Sequence, residues 1–262
     1  MSNDSSVDNN SNQQSKALQK NNLLQRCMSG GVLGAGVIFC IFFGSYLYTA
    51  LILTIFVLSV YESVSIITNS KYLNSDDISV QTLDVNSLIL RYILIAVFCT
   101  IFPCLSLLYL RLVDSAKGFY LTIWLFCAIW SFDTIAFFAG KTIGGPKLAP
   151  KISPKKTWSG FIFGIFGSLI TSLIIYRIFN FNTNSVLFIA FSIILPILSQ
   201  AGDLIESKFK RYHNVKDSGS IIPGHGGILD RMDGFLLTAP FLVFVHSLSS
   251  IFSSLFSINK LF

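Results

Sequence analysis

Carboxylates, cations and glycines are concentrated in one stretch near the C-terminus, residues 203–233. This stretch lies between two long apolar segments, 186–201 and 235–256. Ionisable groups beside a bilayer cost free energy, so a functional reason for them is considered first. Carboxylates can hold a hard divalent cation, and lysines and arginines can bind phosphate oxygens. The stretch therefore predicts metal-assisted chemistry on phosphate groups.

The first half of the stretch predicts a polar face on a helix. If the preceding apolar helix continues, five side chains fall at i, i+3, i+4, i+7 and i+8: Asp203, Glu206, Ser207, Lys210 and Arg211. Positions with this spacing share one helix face. Two acids and a hydroxyl could hold a metal ion there, with the two cations on phosphate. By itself, the pattern is more typical of a solvated interfacial face whose cations extend towards water.

The second half combines a glycine-rich loop with a pair of acids. Residues 218–219 and 223–227 contain four of the chain's glycines, whose backbone N–H groups can approach an anion closely. His225 could donate to a phosphate or simply occupy a turn, and the sequence leaves both open. Asp230 and Asp233 are three residues apart and can face one site. Acids at a helix start are also favoured by the helix dipole.

Two polar features lie upstream of this stretch. Asp133 interrupts an apolar segment, where an acid is either functional or a packing partner for a basic side chain. The loop 141–157 contains five lysines and no acid. Within it, Ser153-Pro154-Lys155-Lys156 stands at the entry to the next apolar segment and suits a polyanion such as a triphosphate. The simpler interpretation is a positively charged loop that remains in the cytoplasm.

The composition predicts an all-α, polytopic membrane protein. The 262 residues are 52% hydrophobic and 12% charged, with a mean hydropathy of +0.65, whereas soluble domains carry roughly 25% charged residues. One span needs about 20 apolar residues, which gives about seven transmembrane helices, with a range of six to nine. The net charge of +6 is attributed to cytoplasmic loops, so no nucleic-acid partner is predicted.

The chain is divided into a disordered polar tail, 1–26, and one integral membrane domain, 27–262. The predicted spans are two helices within 28–67 broken near Gly44-Ser45, then 92–110, 119–140, 158–179, 186–201 and 235–256. Glycines at 160, 164 and 167 predict close helix packing in the fifth span. Glu62, near a helix end, and His246, without a visible partner, are interpreted as structural. Counting crossings places 141–157 and 202–233 on the same, cytoplasmic, side.

These motifs resemble the CDP-diacylglycerol synthase family, also called phosphatidate cytidylyltransferases. The family signature reads Ser-any-apolar-Lys-Arg, four residues, Lys-Asp-any-small, then Pro-any-His-Gly-Gly-apolar-any-Asp-Arg-apolar-Asp. Residues 207–233 match it without a gap, and Gly202-Asp203-Leu204 matches the family element that precedes it. Two further elements are matched by 152–157 and 133–141.

The resemblance is sharp over 133–160 and 200–234, and the first 130 residues match only in general apolar character. Two positions depart from the family pattern. Phe137 stands where tyrosine is frequent, and Ser159 stands where glutamate is common. Both lie outside the signature, so they concern positioning within the site rather than the reaction class.

The resemblance implies a reaction between CTP and phosphatidic acid at a lipid bilayer. A phosphate oxygen of the lipid would attack the α-phosphorus of CTP, pyrophosphate would leave, and CDP-diacylglycerol would form. The family uses Mg²⁺, as one or two divalent ions, and a monovalent cation is an additional candidate. The expected location is a bacterial inner membrane, with the active site facing the cytoplasm. A homodimer is compatible with the family and with the glycine-spaced fifth span.

On this resemblance the candidate residues divide by role, as a hypothesis. The metal ligands are Asp203, Asp230 and Ser207. The other catalytic residues, which hold phosphates or support the metal ligands, are Lys210, Arg211, Lys216, Asp217, Arg231 and Asp233. The substrate-binding residues are Asp133, Ser153, Lys155, Lys156, His225, Gly226 and Gly227.

Two alternatives remain at this point. A CTP-dependent polyprenol or phytol kinase would also need a metal, a nucleotide and a lipid, but it would release CDP instead of pyrophosphate. An ion-coupled transporter would use Asp133 and His246 as relay residues. Against the transporter, the polar residues cluster at one membrane face, and no internal repeat is visible.

Overall fold

The computed structural model describes residues 30–68, 85–113, 117–181, 185–222 and 226–256. The predicted polar tail, the boundary at residue 26, and His225 lie outside these ranges. In chain order the elements are α1 (Gly30–Phe43), α2 (Ser45–Thr68), α3 (Val85–Leu112), α4 (Lys117–Thr142), β1 (Lys147–Ala149), β2 (Ser153–Thr157), α5 (Trp158–Ile178), α6 (Ser185–Tyr212), α7 (Leu229–Met232) and α8 (Phe235–Phe256).

The described residues form a mostly helical protein with membrane-spanning character. Four helices, α2, α4, α5 and α6, are long and apolar enough to cross a bilayer. Three shorter apolar helical stretches accompany them: Gly30–Phe43, Cys99–Leu112 and Phe235–Leu248. The prediction of a helical membrane protein is therefore confirmed, whereas the count of seven spans is not. Each predicted span does correspond to a helix, but length and composition qualify only four within the described ranges.

Helix boundaries follow local signals where these are strong. Gly44, with φ of 127°, separates α1 from α2 at the predicted break, because this backbone conformation is accessible mainly to glycine. Helix α6 runs on past residue 201 to Tyr212, as required for one polar face. Helix α3 starts at Val85, seven residues before the predicted start at 92. The apolar pattern therefore gives too short a helix at both places, because the helices continue through charged residues such as Arg91 and Asp203.

The glycines of α5 form the surface that packs against α4. A Cβ atom at Gly164 would lie 2.7 Å from the ring of Phe132, and one at Gly167 would lie 2.2 Å from Ile135. Gly160 likewise lies against the α4 backbone. Close packing by small residues is thus confirmed. Since this face is already covered within the chain, it gives no support to the predicted homodimer.

The lysine-rich loop contains a short antiparallel hairpin that the sequence did not predict. Lys147 pairs with Thr157, and Ala149 pairs with Ser153. Thr157 then caps α5, its hydroxyl accepting a hydrogen bond from the N–H of Gly160 at 3.2 Å. The hairpin holds the two lysines of β2 at a fixed position next to the start of α5.

Aromatic side chains join α4, α5 and α6 in the core. Trp124 is fully buried and stacks on Phe188 with ring centroids 4.5 Å apart. Its indole N–H donates to Ser172 Oγ at 2.8 Å. Burying the indole with its single donor satisfied stabilises the three-helix contact. These three helices form the frame for the polar residues at their ends.

Candidate active site

A cavity of about 800 Å³ lies where the ends of α4 and α6, the hairpin, Asp217 and residues 230–233 meet. This volume is within the usual range for a small-molecule site. The charged residues that line it are Asp133, Lys141, Lys147, Lys155, Lys156, Asp203, Lys210, Asp217, Asp230, Arg231 and Asp233. Residues 133–157 and 203–233, separated in sequence by a helix pair, therefore face one space, as the crossing count predicted.

Asp203 connects α6 to the hairpin. One carboxylate oxygen, Oδ2, accepts a hydrogen bond from Lys156 Nζ, and the other, Oδ1, accepts one from Ser207 Oγ at 3.1 Å. Ser207 is one helical turn after Asp203, so the predicted helix face brings these two together. Both members of the Lys156–Asp203 ion pair keep part of their surface exposed to the cavity.

Lys210 occupies the centre of a buried charge cluster. Its Nζ lies 2.9 Å from Glu206 Oε1 and also contacts Asp230 Oδ1. The three side chains are 10%, 6% and 9% exposed, respectively. Charges buried this deeply are tolerated only when paired. Lys210 was predicted to hold phosphate, but in this arrangement it neutralises two protein carboxylates at the cavity wall.

Asp230 orders the glycine-rich loop. Its Oδ2 accepts backbone hydrogen bonds from Ser218 at 3.0 Å and from Gly227 at 2.9 Å. Burial acts to raise the pKa of Asp230, but the hydrogen bonds from Lys210 and these N–H groups outweigh it and hold the pKa below its ordinary value. The carboxylate is therefore kept ionised.

The loop glycines were predicted to present N–H groups to a substrate phosphate, and the structure gives Gly227 another partner. Its N–H donates to Asp230, an anion of the protein itself. Gly226 has φ of 83°, and its carbonyl accepts the N–H of Ile222 at 3.0 Å. Gly226 and Gly227 therefore lie against the Asp230 carboxylate.

Asp233 lies in the turn between α7 and α8, close to α6. A Cβ atom on Gly202 would lie 2.4 Å from the carbonyl oxygen of Asp233, so glycine is required there for the approach. Burial raises the pKa of Asp233 well above its ordinary value, and three neighbouring carboxylates raise it further. Those neighbours are Glu206, Asp203 and Asp133. Four acidic side chains therefore lie close together, and repulsion between their negative charges favours the protonated form of Asp233.

Six predicted site residues within the described ranges do not line this cavity, and one of them is Ser207, which lies on α6 and donates to Asp203. Ser153 lies in β2, and Gly226 and Gly227 lie against Asp230. The side chains of Arg211 and Lys216 are exposed to solvent outside the cavity. Arg211 Nη1 donates to the carbonyl of Val215 at 3.1 Å, next to the C-terminal end of α6. The α-helical spacing placed Arg211 on the polar face, but its long side chain turns to the helix end. Its role in holding phosphate, and that of Lys216, stay predictions.

Phe137, Lys141, Lys147 and Gln200 are among the cavity-lining residues that sequence reasoning did not include in the predicted site. Helical spacing in the sequence could have identified three of them, Phe137, Lys141 and Gln200. Phe137 and Lys141 stand one and two turns after Asp133 on α4, and Gln200 is one turn before Asp203 on α6. The same helical spacing that grouped the acids predicts these positions. Lys147 depends on the hairpin, which left no comparable signal.

Glu62 was interpreted as structural and near a helix end, and the structure places it in a buried contact with a distant part of the chain. It is 2% exposed, and its carboxylate accepts three hydrogen bonds from the signature region. The donors are Ser218 Oγ at 2.9 Å, Ile228 N at 3.0 Å and Leu229 N at 2.9 Å. An acid within an apolar span was the one available signal.

His246, which seemed to lack a partner, lies near Tyr109. Its Nδ1 is 3.4 Å from the Tyr109 hydroxyl, and the two rings meet edge to face. His246 does not line the cavity. The contact joins α3 to α8 and offers no link to Asp133 as a relay would need.

The donor set suits a hard divalent cation. Five aspartates line one cavity, and Glu206 Oε2 is buried without a hydrogen-bond donor among the described residues. Carboxylate oxygens are the ligands that Mg²⁺ prefers. In the arrangement described, Lys156 and Lys210 neutralise Asp203 and Asp230, and no three His, Cys, Asp or Glu side chains in the described ranges converge as a ligand cluster. The carboxylates of the cavity are chemically suited to Mg²⁺, and the choice of Asp203, Asp230 and Ser207 as its ligands stays a prediction.

Apolar helices that end in a cavity walled by carboxylates and cations define a helical membrane protein with a site suited to phosphate compounds. The model of the cytidylyltransferase family matches residues 73–249. Because this match covers more than half of the 262 residues, the chain belongs to the cytidylyltransferase family.

Several bacterial proteins named phosphatidate cytidylyltransferase are similar to this chain. The phosphatidate cytidylyltransferase of Rickettsia felis is 43% identical over 163 residues, which are 60% of this chain and 71% of that protein. The enzyme of the same name from Rickettsia prowazekii is 44% identical over 158 residues, 58% of this chain and 68% of that protein. The Staphylococcus aureus enzyme is 46% identical over 127 residues, 48% and 49% of the two chains.

Proposed function

We propose that this chain is a phosphatidate cytidylyltransferase of phospholipid biosynthesis, which transfers CMP from CTP to phosphatidate. The products are CDP-diacylglycerol and pyrophosphate. The observation that carries the proposal is the cavity in which acids and cations from α4, the hairpin, α6 and residues 217–233 face one another. The family match and the names of the bacterial relatives support the same reaction.

The chemistry requires little covalent assistance from the protein. An oxygen of the phosphatidate phosphate forms a bond to the α-phosphorus of CTP, and the bond from that phosphorus to the pyrophosphate oxygen breaks. The nucleophile is supplied by the substrate, so the protein has to bring two polyanions together and stabilise the charge on the leaving group. Positioning and fixed positive charge are the effective means for both.

The exposed cations of the cavity are suited to bind the phosphates. Lys141, Lys147 and Lys155 are exposed and come from α4 and the hairpin, and Arg231 is exposed at α7. The guanidinium of Arg231 can bind two phosphate oxygens at once, whereas the lysines act as point charges. Lys156 and Lys210 are proposed to orient carboxylates instead, since Lys156 is hydrogen-bonded to Asp203 and Lys210 to Asp230.

Asp203 and Asp230 are the proposed Mg²⁺ ligands, and Ser207 is a third candidate that holds Asp203 through its hydroxyl. When bound, Mg²⁺ would neutralise negative charge on the phosphate oxygens. Asp217 and Asp233 line the same cavity and are proposed as supporting acids. The pairing of Asp230 with Lys210 keeps its carboxylate ionised and correctly oriented.

We place the enzyme in a bacterial inner membrane with the cavity open to the cytoplasm. The support is the lysine-rich segment 141–157, which the positive-inside rule keeps in the cytoplasm, where CTP is made. A homodimer compatible with the family would use a surface other than the α5 glycines, because those pack on α4.

The test is an assay of the purified chain in detergent micelles with α-labelled CTP, dioleoyl phosphatidic acid and Mg²⁺. We expect label in the lipid fraction, release of pyrophosphate, and loss of both with EDTA. Label that stays in CDP while an added polyprenol is phosphorylated would replace the proposal with a kinase. A folded sample without nucleotide turnover would also contradict it.

A further inference from the structure

Two carboxylates from distant parts of the chain hold the same two backbone segments. Ser218 donates its backbone N–H to Asp230 Oδ2 at 3.0 Å and its hydroxyl to Glu62 Oε2 at 2.9 Å. In the second segment, Gly227 donates its N–H to Asp230, whereas Ile228 and Leu229 donate theirs to Glu62. Each segment is therefore fixed between the two acids.

The contact between Glu62 and these segments is tight. A Cβ atom at Gly219 would lie 2.7 Å from Glu62 Oε1, and one at Gly227 would lie 2.3 Å from Oε2. Glu62 itself is 2% exposed. The carboxylate is enclosed by residues 218–219 and 227–229, so displacing it would also displace these two segments.

The hydrogen bonds from Ile228 and Leu229 meet a need of the local structure. The first N–H groups of a helix have no acceptor within the helix. Helix α7 begins at Leu229, and Ile228 before it makes no side-chain cap. Glu62, on α2, supplies the acceptor from 166 residues away. Without it, buried donors would lose their partner, which costs more than an ordinary hydrogen bond contributes.

We propose that Glu62 is a positioning residue for Asp230. By holding Ser218 and residues 227–229, it fixes the two N–H groups that orient the Asp230 carboxylate towards Lys210 and the cavity. Glu62 lies N-terminal to the residues matched by the family model, 73–249, so the comparison attributes nothing to it. The inference rests on the proposed function only in that Asp230 is a proposed Mg²⁺ ligand for the reaction.

Glu62→Gln tests the proposal because it keeps the shape of the side chain but replaces one acceptor oxygen with an NH₂ donor. Both carboxylate oxygens accept backbone N–H groups, so an amide must oppose a donor with a donor. The first readout is hydrogen–deuterium exchange of the full chain without nucleotide, lipid or metal. We expect faster exchange in peptides covering 217–231 and unchanged exchange in α4 and α5.

The second readout is kinetic. We expect kcat/KM for CTP to fall roughly 10- to 100-fold, the usual effect of removing a group that orients a functional side chain. The Mg²⁺ concentration for half-maximal rate should rise, which mere loss of folded protein would not cause. Ser63→Ala is the matched control. Ser63 is equally buried on α2, but its hydroxyl donates to the Ser59 carbonyl of its own helix, so both readouts should stay at wild-type values.

Unchanged exchange over 217–231 in Glu62→Gln, or unchanged kinetics with faster exchange, would overturn the proposal. If Glu62→Gln does not yield folded protein, Ser218→Ala decides, because it removes one of the three hydrogen bonds. It should show a smaller change in the same direction, and wild-type exchange over 217–231 would again overturn the proposal. Failure of the proposed function is distinguishable, since the wild-type chain would then show no CTP turnover while the exchange result stands.

Discussion

Lys156 on the hairpin donates a hydrogen bond to Asp203 on α6, across 47 residues of sequence. The pair joins the two sequence regions that contain most of the candidate residues. It also gives Lys156 a part different from that of Lys155, its exposed neighbour on β2. One lysine orients a carboxylate, while the other remains accessible to an anionic substrate.

Asp203→Asn and Asp230→Asn should each abolish turnover; Asp203→Asn should leave the fold intact, whereas Asp230→Asn should also lower the Tm because it removes one partner of the buried Lys210 ion pair. Replacing a carboxylate by an amide removes the charge proposed to hold Mg²⁺, and the loss should exceed roughly 100-fold, since even outer partners of metal ligands cost 10- to 100-fold. The measurement is label transfer from CTP to lipid, with gel filtration in detergent as the check on folding. Near-normal activity in either variant would remove that residue from the proposed metal site.

Lys156→Gln should lower kcat/KM by roughly 10- to 100-fold, because Asp203 loses the cation that orients it. Lys208→Gln is the matched control. It makes the same charge change on α6 at an exposed side chain that does not line the cavity. Steady-state kinetics with CTP as the varied substrate would compare them. Equal rates for the two variants would show that the Lys156–Asp203 ion pair does not contribute.

Lys210→Met should destabilise the fold as well as inactivate the enzyme. It leaves the buried carboxylates of Glu206 and Asp230 without their shared cation. Removing one partner of a buried ion pair typically costs about 3–5 kcal/mol. Thermal unfolding in detergent would measure a lower Tm. Lys208 is exposed on the same helix, so Lys208→Met should leave the Tm unchanged within experimental error. A similar fall in Tm for both variants would contradict the stabilising role of the Lys210 ion pairs.

Gly167→Ala should lower the Tm by separating α5 from α4. The new methyl group would meet Ile135 at 2.2 Å, and overpacking of this kind typically costs about 1–3 kcal/mol. Gly36→Ala on α1 is the control, because a Cβ atom there meets nothing within 4 Å. We expect Gly36→Ala to match or exceed the wild-type Tm, since alanine is the better helix former. The same fall in both variants would mean that the α4–α5 contact is not the cause.

The sequence alone determined the features that depend on local spacing. Helical periodicity placed Asp203 and Ser207 on one face of α6, and their hydrogen bond follows from being one turn apart. Glycines one turn apart predicted the close packing of α5, and apolar length predicted a helical membrane protein. These properties are set within one or two turns, so neighbours in sequence are sufficient to specify them.

Which distant groups meet depends on how the helices pack in three dimensions. The N–H of Gly227 could have faced a substrate, but it donates to Asp230, and Glu62 accepts the N–H groups that follow. Nothing in the spacing of α2 indicates that its one acid would cap a helix near the other end of the chain. A buried donor must find an acceptor wherever packing places one, and that choice depends on how the helices are arranged in space rather than on the residues beside it.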